Sequence, residues 1–417
     1  MTERETRTAV LALLLATLVA VLSSTVVATA LPEIVTGLRG TQAVYTWVVV
    51  ATLLTVTAST PVWGKLADRT DRALLLQISL VIYAVASLAA GLAASSGALI
   101  ACRAVQGVGV GGMTGLVQVI LTDLVPPREL GRYSGHLGAM FAVGTITGPL
   151  LGGAVAETLG WRWCFLLGVP IASAVSVVLA RTLRLPERRS RVPAGGRFRD
   201  GLVPRRLLAD RTLVIASLAS IAVGAALFGL TVLVPQYMQV ARAKSPAESA
   251  LLALPMFAAL VAAATATGRA IVRTGRYKRR LLGGTAMLAA GAAAMALVSD
   301  TTSLVFVCGC LMAMGAGVGA LIHSLTLVAQ NAAERRDTGA ATALVSFSRG
   351  IGGAAGLCVL GALVAHGARF GEAIVALTPA VLAALLALSA LPEVPLGGRS
   401  GIELRRDDEF PARTGSQ

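Results

Sequence analysis

Residues 135–153 read GHLGAMFAVGTITGPLLGG, an apolar stretch long enough to cross a bilayer as a helix. It is punctuated by Gly135, Gly144, Gly148, Gly152 and Gly153, with Pro149 among them. In lipid, glycines spaced by four let two helix backbones approach closely. Gly144, Gly148 and Gly152 keep that spacing and form one smooth stripe. A proline at mid-membrane bends the helix, and neighbouring helices must satisfy the carbonyl it frees. Such a helix suits either a sliding or rocking contact between moving parts or plain tight packing.

The apolar character extends over the whole chain. Of 417 residues, 55% are hydrophobic and 14% charged. The mean hydropathy is +0.77, whereas a soluble domain carries about 25% charge. Apolar runs fall near residues 9–31, 43–63, 73–94, 98–121, 133–155, 163–180, 212–235, 249–267, 281–298, 303–328, 339–365 and 372–391. Most reach the roughly 20 residues that a transmembrane helix needs. The expected fold class is an all-α polytopic membrane protein of twelve spans. Strand pores would show short alternating segments instead. The first run is too long for a cleavable signal peptide, has no small-x-small cleavage site, and is followed by more spans.

The net charge of +15 could suggest a nucleic-acid partner. Its distribution argues against one. With both termini placed in the cytoplasm, 29 of the 36 Lys and Arg fall in inner segments and 5 in outer loops. That bias follows the positive-inside rule, so the charge is a topology signal, with anionic lipid headgroups as its natural contacts. A cell (inner) membrane location is expected. Cys102, Cys164, Cys308, Cys310 and Cys358 all lie in apolar runs without a CxxC pair, which reads as small core residues. No metal, cofactor or nucleotide-binding P-loop is expected, and no catalytic triad appears, so the chain does not read as an enzyme.

Residues 181–211, rich in Arg, Pro and Gly, form the longest polar segment. They read as a cytoplasmic linker between six-helix bundles at 1–180 and 212–391, with a cytoplasmic tail at 392–417. The loop after the second helix begins GKLADRTDR at Gly64, and the loop after the eighth begins GRAIVRTGR at Gly268. Gly, a cation, Arg, Thr and Arg recur at equal spacing. Parallel repeats of this kind are a feature of secondary transporters.

These residues resemble the major facilitator superfamily. GKLADRTDR (64–72) is similar to the family's signature loop, with Asp71 where glycine is usual. Arg103, Gln106, Gly107, Gly109 and Gly111 resemble the motif RxxQGxGxG. Residues 135–153 match the antiporter motif G-x8-G-x3-GP-x2-GG at every specified position. That match implies the drug:proton antiporter branch, hence export. The pieces Leu22 to Pro32, Trp161 to Phe165, Pro235 to Tyr237 and Phe347 to Gly353 resemble a subfamily that usually has fourteen helices. Here the basic linker stands where the two extra helices would be. The aspartate usual in helix 1 of that subfamily is Ser23.

A proton-coupled carrier needs a titratable group that alternates between two solvents. None of the 21 acids lies at mid-membrane. Glu33 ends helix 1 on the outer side, and Arg103 lies roughly 7 Å below the same interface at 1.5 Å per residue. The two could pair, or Arg103 could snorkel to headgroups. His323, near the inner end of helix 10, could relay protons or pack. Arg349, about ten residues into helix 11, must face a cavity or a polar partner. By resemblance, Gly64, Asp68, Arg69 and Arg72 form an inner gate, and helices 1, 4, 7 and 10 line the path. Thr25, Thr29, Gln106, Met113, Phe228, Met312 and Met314 would then form an apolar, adaptable cavity. The expected function is proton-coupled export of small hydrophobic or amphiphilic compounds by a monomer, through rocking of two bundles. The alternatives are an uncoupled metabolite facilitator, motivated by Ser23, and a transporter-like membrane sensor.

Overall fold

Twelve helices long and apolar enough to cross a membrane run through the described residues of the computed structural model. These residues are 3–67, 70–124, 130–183, 209–274, 276–299, 302–333 and 338–390. The first six are α1 (Glu3–Gly37), α2 (Gln42–Ala67), α3 (Arg72–Gly91), α4 (Ser96–Leu124), α5 (Leu130–Leu159) and α6 (Trp163–Thr182). The second six are α7 (Arg211–Gln236), α8 (Pro246–Thr274), α9 (Lys278–Ala294), α10 (Leu304–Ala332), α11 (Thr338–Ala365) and α12 (Phe370–Ser389). A π-helical turn, Tyr237–Ala241, extends α7. The ends of α1, α3, α5, α7, α9 and α11 nearer the linker and tail segments define a terminal face. The opposite ends define a distal face.

Lipid offers no hydrogen bonds, so each helix satisfies its own backbone and, where it can, its hydroxyls. Thr17, Thr55, Thr60, Ser220 and Thr231 all donate to the carbonyl four residues back. Asp71, the departure within the signature loop, accepts from Ala73 N at 2.8 Å and caps α3. Asp210 caps α7 in the same way, accepting from Thr212 N and Leu213 N. The fifth helix of each half stops at a left-handed glycine, Gly160 and Gly367, both at φ +88°. Pro32 does not end α1, which continues to Gly37.

Two cores separate the halves. One is built from α1 to α6 and holds Leu13, Leu76, Met113 and Leu116. The other is built from α7 to α12 and holds Leu233, Met256, Leu288 and Met314. A third cluster, near the distal face, joins Leu31, Tyr45 and Leu53 to Val232, Ala354 and Leu357. The pairings repeat between halves: α1 packs on α5 as α7 packs on α11, and α2 on α4 as α8 on α10. The halves meet through α2 against α11, α5 against α8, and α1 against α7.

The glycine stripe of α5 lies inside the first bundle. Gly144 faces Val21 of α1, and a Cβ on Gly148 would overlap Thr25 Oγ1. A Cβ on Gly152 would sit 2.5 Å from the Val26 carbonyl oxygen. Of the two readings, sliding contact or tight packing, the stripe shows tight packing of α5 on α1. It is Gly153, one residue on, that faces the other half, where a Cβ would meet the Pro246 carbonyl oxygen at 2.6 Å.

Candidate functional site

The seam between halves is held near the distal face. Tyr45 of α2 donates through its hydroxyl to the Val232 carbonyl at 2.7 Å. The side-chain amides of Gln42 and Gln236 exchange hydrogen bonds of 3.3 and 2.5 Å. Gln239 donates to the Thr29 carbonyl at 2.9 Å, within the turn that Pro32 loosens. Glu157, near the end of α5, accepts from Ser245 Oγ at 3.2 Å and from Ala247 N at 3.3 Å. That places a carboxylate of one half on the N-terminus of α8 in the other, where the helix dipole favours it. The sequence reading missed Glu157. Its signal was an acid two residues past the end of the apolar run 133–155, in a chain poor in acids.

A narrow crevice lies in the seam beside these contacts. Thr25, Thr29 and Pro149 line one side, and Leu230, Thr231, Val234, Met256 and Phe257 line part of the other. Thr25 is fixed by its hydrogen bonds to the Val21 and Gly144 carbonyls, at 3.1 and 3.3 Å. Thr29 donates to the Thr25 carbonyl. The crevice is apolar with three threonines, a lining suited to an apolar body with few polar groups. Phe228 stands nearby in the seam, packed on Gly353.

Other residues expected on the path lie elsewhere. Met113 and Met314 are both 0% exposed, each inside the core of its own bundle. Gln106 is buried in the first bundle. Met312 is 47% exposed, on a face with Val305 and Gly309 that is turned away from the Leu311 and Val318 side of α10. A uniformly apolar helix does not reveal which face turns inward, and this is why these assignments fail.

Arg103 is 1% exposed. Its Nε donates to the Val48 carbonyl at 3.3 Å and its Nη1 to Gln106 Oε1. Gln106 donates onward to Ser87 Oγ at 2.6 Å. The Phe165 ring centroid is 5.9 Å from the guanidinium carbon, and the Tyr83 hydroxyl is in polar contact with both Ser87 and Ser23. The expected Glu33–Arg103 pair is not formed, and neither does Arg103 snorkel. Equal depth does not fix direction around a helix: Glu33 instead shares its electrostatic neighbourhood with Glu157. Among the described residues, Arg103 has polar partners but no carboxylate, and Ser23 stands within that cluster.

Arg349 in α11 is partly accessible and, among the described residues, engages in no hydrogen bond or ion pair. Within the signature loop, Arg72 is buried and donates to the Ala67 carbonyl at 3.0 Å. Gly64 has open space where a Cβ would stand, as does Gly268 in the matching loop. Asp68, Arg69, the surroundings of Gly135 and His136, and the His323 side chain lie outside the described residues, as do most of the linker and the tail. Among the described residues, no group of three or more His, Cys, Asp or Glu could hold a metal.

Residues 13–357 match the family model of the Major Facilitator Superfamily. An uncharacterized MFS-type transporter of Mycobacterium tuberculosis is 32% identical over 402 residues, covering 84% of this chain and 58% of that protein. The chain thus spans less than two thirds of that relative's length. The multidrug transporter protein MdtP of Bacillus subtilis is 25% identical, covering 84% of this chain and 74% of its own. Among solved structures, the nucleoside transporter NupG superposes with a TM-score of 0.78 at 13% identity, covering 92% of this chain and 99% of NupG. A bacterial homologue of the human lysosomal transporter Spinster, inward-facing and unoccupied, gives 0.72 at 18% identity, covering 93% and 96%. Family model, twelve spans and fold agree: this multi-pass membrane chain belongs to the major facilitator superfamily.

Proposed function

We propose that the chain is a secondary exporter of small hydrophobic or amphiphilic compounds, driven by proton antiport and working by alternating access between the two bundles. The observation that carries this reading is the seam itself. Polar contacts of Tyr45, Gln42, Gln239 and Glu157 close it near the distal face beside an apolar crevice. The Lys and Arg bias supports a cytoplasmic terminal face. With that orientation the closed distal seam corresponds to an inward-facing state, in which cargo enters from the cytoplasm or inner leaflet. The full antiporter motif and the relative named as a multidrug transporter support export. Glu33, in the electrostatic neighbourhood of Glu157 near the distal end of the seam, is the carboxylate we propose as proton acceptor. A chain that moves cargo needs no catalytic group, and the sensor reading gains nothing from this seam.

One observation favours a second reading. Ser23 stands in the Arg103 cluster where a carboxylate would titrate, which suits a facilitator without proton coupling. Accumulation of dyes and antibiotics in an efflux-deficient host separates the two. Lower accumulation that a protonophore reverses is the expected result. Lower accumulation that a protonophore leaves unchanged selects the facilitator, and no change over a broad panel with the protein in the membrane removes both.

A further inference from the structure

Arg349 shares one face of α11 with Thr342, Ser346 and Gly353, at spacings of seven, three and four residues. Gly353 packs against Phe228 of α7 and Leu53 of α2, and the adjacent Gly350 packs on Thr57 of α2. That face therefore looks into the seam where the halves meet. Ser346 is exposed and Arg349 partly so, which leaves this face of α11 incompletely covered. A guanidinium does not give up its proton, and a cation in a low-dielectric site is costly unless an anion or several acceptors surround it. Among the described residues, Arg349 has no hydrogen-bond or ion-pair partner. On α7, Ser217 lies two turns before Gly224, on the face that packs against the Arg349 backbone. Its hydroxyl is buried and also without a hydrogen-bond partner. The helical lean of the Arg349 side chain toward the α11 N-terminus carries it to the level of Ser217. A donor fork and a free hydroxyl thus stand together in an apolar seam.

The geometry points to an anionic cargo: the seam takes amphiphiles that carry a carboxylate or a similar anionic head, with Arg349 as the bidentate donor and Ser217 as a second donor. The apolar body then lies against Phe228 and Leu53. Cationic amphiphiles are disfavoured by the same uncompensated charge. This assignment rests on the transporter reading and names its substrate class.

The test is binding to the full chain purified in a nonionic detergent, using 11-(dansylamino)undecanoic acid and its methyl ester as probes. The acid is expected to bind about tenfold or more tighter than the ester, the range of one charge-assisted hydrogen-bonded contact. Arg349→Gln should bind both alike, Arg349→Lys should retain part of the preference, and Ser217→Ala should reduce it by about threefold. If Arg349→Gln does not fold, the Lys and Ala variants carry the test, and an undiminished preference in both overturns the assignment. Equal binding of acid and ester by the unaltered chain, or no binding of the acid, also overturns it. Displacement by phosphatidylglycerol as potent as by undecanoate would make the seat a lipid-headgroup site and overturn the cargo. Acid preference without cellular efflux would sink the export reading and leave this one standing. Efflux of neutral dyes without acid preference would do the reverse.

Discussion

Arg103 and Arg349 are both arginines set within spans, one in each half, yet their surroundings are opposite. Arg103 is enclosed in the first bundle, where a carbonyl, an amide oxygen and an aromatic ring compensate its charge. Arg349 stands at the seam with no partner. The same division runs along α5. Gly144, Gly148 and Gly152 are packed to contact on α1, while Gly153 and Pro149 face the other half. At these positions the demands of charge and packing are met inside the first bundle, and at Arg349 they are not. On the proposed alternating-access reading, contacts inside a bundle stay fixed while those at the seam are exchanged. Substitutions inside a bundle should cost stability, and those at the seam should cost transport first.

The largest effect is expected at Gly148. Replacing it with Leu places a side chain where Thr25 already stands, and Thr25 is tied to two carbonyls. Overpacking of this kind costs about 3 kcal/mol or more when backbones must separate. The purified protein should lose thermal stability and transport together. A variant with unchanged melting and normal efflux would erase the distinction between interior and seam. Next comes Arg103→Leu, which leaves the buried Gln106 amide oxygen without its donor. Unsatisfied buried polar groups cost about 1–3 kcal/mol each. The melting temperature should fall even with no cargo present. Intact stability with lost transport would move Arg103 from scaffold to cargo or coupling site.

The spans and the family were legible because lipid demands long apolar helices, and composition records that demand directly. The glycine motif was equally legible, but its role was not. Spacing shows that Gly144, Gly148 and Gly152 share a face, while nothing in the string says that α1 covers it. Met113, Met314 and Met312 failed for a related reason: in a helix apolar all round, the periodicity that marks an inward face in a soluble protein is absent. Asp71, read as a departure from a loop signature, is the cap of α3. The Glu33–Arg103 pair rested on matching depths, and depth leaves direction around the helix undetermined. The unpartnered state of Arg349 has no trace in the sequence, since it depends on which residues four other helices bring near.

A smaller effect belongs to Tyr45→Phe, which removes one buried seam hydrogen bond to Val232 and keeps the ring. The net loss is about 1 kcal/mol, felt by the distal-closed state alone. Melting should change little. Labels on the exposed Thr158 of α5 and Ala241 beyond α7 should spend more time far apart. Shortened or unchanged distances would show that Tyr45 serves bundle packing and belongs on the other side of the comparison.

The smallest effect expected is that of Glu157→Gln. The amide retains an oxygen that can accept from Ser245 and Ala247, so the hydrogen bonds survive and the negative charge does not. What is lost is the attraction of a carboxylate for the N-terminus of α8, a surface-type interaction of about 0.3–1 kcal/mol that salt screens. The same Thr158 and Ala241 labels should therefore report a modest shift toward the open distal seam at low salt, vanishing as ionic strength rises. A Gln variant whose label distances match those of the native chain at low salt would show that the charge adds nothing to closing the seam.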